Sequence, residues 1–81
     1  MTICGLQVLN ISYNDLAVLE PTLFNMMISL QVLNLAGNRL TTIASIAYNL
    51  PCLKELDAAN NDLLFIPGIL ELLVIKTILN I

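Results

Sequence analysis

Apolar and polar positions along this chain recur in blocks of one design. Residues Leu6 to Ile11 (LQVLNI) return as Leu30 to Leu35 (LQVLNL), and once more as Leu53 to Ala58 (LKELDA). Each block is followed at the same offset by an asparagine (Asn14, Asn38, Asn61), then by a leucine (Leu16, Leu40, Leu63), then by Leu19, Ile43 or Ile66. One more step of the same length reaches Lys76 and brings Leu79, Asn80 and Ile81 into register with Leu9, Asn10 and Ile11. A fixed period of about 23 residues predicts stacked repeat units rather than one closed core.

Within a block the alternation Leu9-x-Ile11, Leu33-x-Leu35, Leu56-x-Ala58 has a period of two, which predicts a short strand with these residues pointing inward. The asparagine falls where the chain turns out of the strand. There its amide can donate to and accept from backbone groups that strand pairing leaves unmatched, so Asn14, Asn38 and Asn61 should form a ladder. The tails from Pro21 to Ser29, Ser45 to Cys52 and Pro67 to Ile75 carry apolar residues (Leu23, Phe24, Met27; Ile46, Leu50; Leu70, Leu73) at spacings that suit helical or 3₁₀ turns. Each unit can bury its apolar face only against its neighbours, so the strands should form a parallel sheet.

The spacing LxxLxLxxNxL, opening in turn at Leu6, Leu30 and Leu53, resembles the leucine-rich repeat family in three successive units. Ala58, where a large aliphatic is usual, and Lys76, where leucine would open the fourth unit, depart from it. The resemblance implies an α/β solenoid with a short parallel sheet on its concave face and helical or 3₁₀ turns and loops on its convex face. The expected organisation is an N-terminal stub over 1–5 without a recognisable cap, repeats over 6–29, 30–52 and 53–75, and a partial unit over 76–81. Stacked repeats need polar caps, so uncapped ends are expected to favour self-association, and the chain reads as part of a longer array or as a unit that oligomerises.

Residues between the inward ones make up the exposed strand face. Val8, Val32, Glu55 and Ile78 form one row; Asn10, Asn34, Asp57 and Asn80 the next; Ser12, Ala36 and Ala59 a third, with Tyr13, Gly37 and Asn60 at the edge. In the family this concave face is the usual ligand surface, so the resemblance implies a protein partner held by Val8, Asn10, Ser12, Tyr13, Val32, Asn34, Ala36, Glu55, Asp57 and Ala59. Tyr13 is the best single anchor by chemistry, an aromatic ring with a polar tip, though a packing role at the turn fits it as well.

Composition narrows the alternatives. The net charge is −3, and Arg39, Lys54 and Lys76 stand singly, which excludes a patch for nucleic acid. There is no histidine to serve as base for a serine or cysteine nucleophile. Glu55 and Asp57, about 7 Å apart on one strand face, have the separation of paired glycosidase carboxylates, but an open sheet supplies no pocket. No cluster of ligating side chains and no glycine-rich loop points to a metal or cofactor. The expectation is therefore a non-enzymatic binding module.

Residues 63–81 are apolar enough to raise an alternative, a small membrane-associated protein anchored there. Pro67, Gly68, Glu71 and Lys76 count against it, as does the repeat register, which already accounts for Leu63, Ile66, Leu70, Leu73 and Leu79. Cys4 and Cys52 precede units one and three, about two strand spacings or 10 Å apart, too far to bridge, so both are expected to be reduced packing thiols. Their state, with no visible secretory signal, favours a cytoplasmic location. The stretch from Leu19 to Phe24, similar to longer repeats of extracellular receptors, and the acceptor tripeptide at Asn10 to Ser12 weigh the other way, so the expectation is a cytoplasmic protein, with an extracellular fragment of a receptor-like repeat protein as the alternative.

Overall fold

A computed structural model describes residues 7–20, 22, 28–43, 46, 50–64 and 78–81. Four strands run along it: β1 (Val8–Asn10), β2 (Val32–Asn34), β3 (Glu55–Asp57) and β4 (Ile78–Asn80). They pair in sequence order as one parallel sheet. The register sets Val8 beside Val32, Val32 beside Glu55 and Glu55 beside Ile78, so the repeat period of the sequence is the pairing offset of the sheet.

Backbone bonding carries the stack past the strand ends. Ile11 N–H donates to Asn34 C=O at 2.9 Å and Tyr13 N–H to Ala36 C=O at 2.7 Å; one unit on, Leu35 N–H reaches Asp57 C=O at 2.7 Å and Gly37 N–H reaches Ala59 C=O at 2.9 Å. The same pairing resumes after the turn, where Arg39 N–H meets Leu16 C=O and Asp62 N–H meets Leu40 C=O. Among the described residues, consecutive units are therefore joined by inter-unit bonds on both sides of the turn, which satisfy backbone groups beyond the strands themselves.

Beneath the sheet lies the apolar core that the alternation predicts. Leu30, Leu33, Leu35, Leu40, Ile43, Ile46, Leu50, Leu53, Leu56 and Ala58 are buried together, with Leu9, Ile11, Leu19 and Leu63 half-buried against them. The deepest residues belong to the second unit and its junction with the third, because a unit with neighbours on both sides loses the most apolar surface to water. Ala58 packs at 1% exposure, so the methyl group at that inward position suffices to close the core beneath β3.

Away from the strands, Ile46 and Leu50 are buried as expected, and Leu50 N–H donates to Ile46 C=O at 3.3 Å, one i→i−4 bond. The helical or 3₁₀ turns expected over the three tails fall mostly outside the described residues, as do the stub over 1–5, Cys4 and most of the apolar stretch from residue 63 to 81. Among the described residues no helix is long and apolar enough to cross a membrane. Cys52 corrects an expectation: it is an exposed thiol, not a packing one, because it sits on the turn beside Pro51 rather than on the inward face.

Candidate functional site

The strand face is assembled by register. Val8, Val32, Glu55 and Ile78 lie side by side across the four strands, with Asn10, Asn34, Asp57 and Asn80 in the adjoining row. Val8 at 62% and Ile78 at 71% are among the most exposed large apolar residues of the chain. Glu55 is exposed as well, although strands flank it on both sides, whereas the shorter side chain of Val32 in the same row is half-buried.

The second row serves the fold as well as the surface. Asn10 Oδ1 accepts from Ser12 N–H at 3.0 Å, Asn34 Oδ1 from Ala36 N–H at 3.0 Å and Asp57 Oδ1 from Ala59 N–H at 3.1 Å. In each unit a short polar side chain at the strand's end thus caps an N–H two residues on, an Asx turn that starts the bend. Asn80 Nδ2 adds a bond to Asp57 Oδ1 at 3.3 Å, and Ser12 Oγ donates to Asn10 Oδ1 at 2.7 Å. These side chains are held in place by bonds within the chain.

In the third row Ser12 and Ala59 are half-buried, but Ala36, placed by the sequence on the exposed face, is buried. Its methyl group has a unit on each side and does not reach past them. Ala36 therefore shapes the floor of the surface rather than presenting a contact.

The edge positions share an unusual backbone. Tyr13 (φ 57°), Gly37 (φ 70°) and Asn60 (φ 57°) all take the left-handed conformation. Glycine and asparagine adopt it cheaply, while for tyrosine it costs about 1 kcal/mol. The ring of Tyr13 lies against Gly37: a Cβ added there would fall 2.7 Å from Tyr13 Cγ, with Cδ1 and Cε1 nearer still. Tyr13 nonetheless remains 72% exposed, so packing on the next unit and display to solvent coincide in one side chain. The sequence held a signal for this backbone, a glycine and an asparagine at equivalent positions of consecutive units.

Behind this edge the asparagine ladder bridges units. Asn38 Oδ1 accepts from Asn14 N–H and Leu16 N–H, both at 3.0 Å, while its Nδ2 donates to Ile11 C=O at 3.0 Å and Leu35 C=O at 2.8 Å. Asn61 repeats the pattern one unit on, accepting from Leu40 N–H at 3.0 Å and donating to Leu35 C=O and Ala58 C=O at 3.0 Å. Asn14, in the first unit, is exposed and donates to Ser12 C=O at 3.0 Å. Each interior amide therefore ties its own turn to the preceding one, and no buried polar side-chain atom is left unbonded among the described residues.

Chemistry finds little purchase. Asp57 is already committed to its turn, and Glu55 lies on an open face. A cleft of about 100 Å³ between the first two units is lined by Ala17, Val18, Leu40, Thr41, Ile43, Ile46 and their neighbours, without an acid, amine or thiol among them. No group of side chains that would hold a metal occurs among the described residues.

A sheet of short parallel strands with an asparagine ladder defines a repeat protein, and comparison with known families gives it a place. The family described as leucine rich repeat matches residues 4–63, most of the chain, and the protein belongs to that family. Its members are generally protein-interaction modules and usually non-catalytic, and no catalytic family matches. No curated protein and no solved structure matches the chain.

Proposed function

We propose that this chain binds a partner protein through the strand face formed by Val8, Asn10, Ser12, Tyr13, Val32, Asn34, Glu55, Asp57 and Ala59, with Ile78 and Asn80 extending the same rows. The observation that carries the reading is the exposure of Val8 and Ile78 at 62% and 71% in a row that also holds Val32. The aliphatic side chains at the two ends of this row, on either side of Glu55, leave apolar area from which a partner can expel water. The polar row beside it gives direction to the contact without costing much order on binding, since its side chains are already fixed in turns. Tyr13 supplies an aromatic at the rim whose ring is held against Gly37, the kind of preorganised anchor from which interfaces draw much of their energy.

Affinity capture with the chain and with a Val8→Glu, Val32→Glu, Glu55→Lys variant tests this. These changes leave the Asx-turn side chains intact, so circular dichroism should match the parent's. The expected result is loss of the proteins retained by the parent; retention of the same proteins by the variant sinks the reading.

A further inference from the structure

The strand face is not uniform along its length. Across the sheet the first row reads Val8, Val32, Glu55, Ile78 and the second Asn10, Asn34, Asp57, Asn80. Both carboxylates of the two rows fall on β3, and neither row holds a lysine or arginine. The arrangement is thus an aliphatic band interrupted at one strand by a pair of acids. Asp57 is anchored through Oδ1 by Ala59 N–H at 3.1 Å and Asn80 Nδ2 at 3.3 Å, so its charge keeps its position when a partner approaches.

Spacing selects the shape of the complement. Neighbouring strands lie about 4.8 Å apart, so the row spans roughly 14 Å from β1 to β4. Successive turns on one side of a helix advance about 5.4 Å and cover roughly 16 Å in three steps, while alternate residues of an extended segment advance about 6.8 Å and cover roughly 20 Å. A helix laid across the strands therefore stays in step with the row, and an extended segment does not.

Resting on the reading that this face binds protein, we propose that the partner is a basic amphipathic helix crossing the strands, with aliphatic side chains over Val8, Val32 and Ile78 and an arginine or lysine between Glu55 and Asp57. Charge complementarity commits the occupant: a face with two carboxylates and no cation, on a chain of net charge −3, attracts a positive helix and repels an acidic one. An arginine fork suits two oxygens presented from one strand.

The test uses the full chain and labelled helical peptides, followed by fluorescence anisotropy. One peptide carries leucine, leucine, arginine and leucine on successive turns of one face; a second has glutamate for the arginine. The arginine peptide should bind the parent about tenfold more tightly than the glutamate peptide, with the preference shrinking as salt rises. Changing Glu55→Gln together with Asp57→Asn should erase the preference while keeping the fold, because asparagine holds the same turn at Asn10 and Asn34. Equal binding of the two peptides, a preference that survives the double change, or no binding of either overturns the proposal. A Val32→Glu variant separates the two readings. If it abolishes binding of both peptides while the charge preference is absent, the strand face survives as the site and only the basic helix fails. If it leaves binding intact, the strand face itself is refuted.

Discussion

The ring of Tyr13 lies against the Cα of Gly37 one unit away, and both residues hold left-handed backbone, at φ 57° and 70°. A side chain at position 37 would collide with the ring, so the glycine is what leaves the ring its place. Gly37→Ala is expected to destabilise the chain by about 2 kcal/mol, from the strained φ and the displaced ring together. In a Tyr13→Ala background only the backbone part, about 1 kcal/mol, should remain. Denaturant midpoints of the four-member cycle measure the difference; additivity of the two changes would mean that the ring does not pack there.

The asparagine ladder should show graded sensitivity. Asn38, buried and bonded to both its own unit and the preceding one, is expected to lose about 3 kcal/mol on change to alanine, because four backbone groups, one buried and three partly so, lose their partner together. Asn61, half-buried, should lose about 2 kcal/mol, and exposed Asn14 under about 1 kcal/mol. Urea titrations that rank Asn14→Ala as most damaging would contradict the bridging role.

At the ends of the strands, geometry matters more than charge. Asp57→Asn keeps an acceptor for Ala59 N–H and should shift stability by less than about 0.5 kcal/mol. Asp57→Ala removes the acceptor and should cost about 1 kcal/mol. Thermal melts of the two variants, compared with the parent, distinguish these outcomes.

Along β1 and β2 the equivalent rows separate surface from core. Leu33, 2% exposed, is expected to lose about 2–5 kcal/mol on change to alanine, enough to unfold a chain of this size. Val8→Ala, at a position 62% exposed, should stay within about 0.5 kcal/mol and act on binding alone. Hydrogen exchange of the strand amides provides a second readout, with Leu33→Ala alone expected to remove protection.

What the sequence by itself determined is everything that follows from translation of one unit onto the next. The step that carries Leu6 onto Leu30 and Leu30 onto Leu53 places Val8, Val32 and Glu55 in one row, Leu9, Leu33 and Leu56 beneath, and Asn14, Asn38 and Asn61 on one ladder. Similar units stacked in parallel have no other register that turns the inward leucines of every unit to the core together. Tertiary structure decided what depends on neighbours rather than on the unit. Ala36 lies buried where the alternation shows an exposed position, since a methyl group between two units is covered by both. Cys52 is exposed because its turn carries it off the inward face. Asn38 and Asn61 reach back to the preceding unit, a direction that no local pattern encodes, because the carbonyls they satisfy there belong to a different repeat. The seat of Tyr13 on Gly37 is of the same kind: it exists only when two units meet.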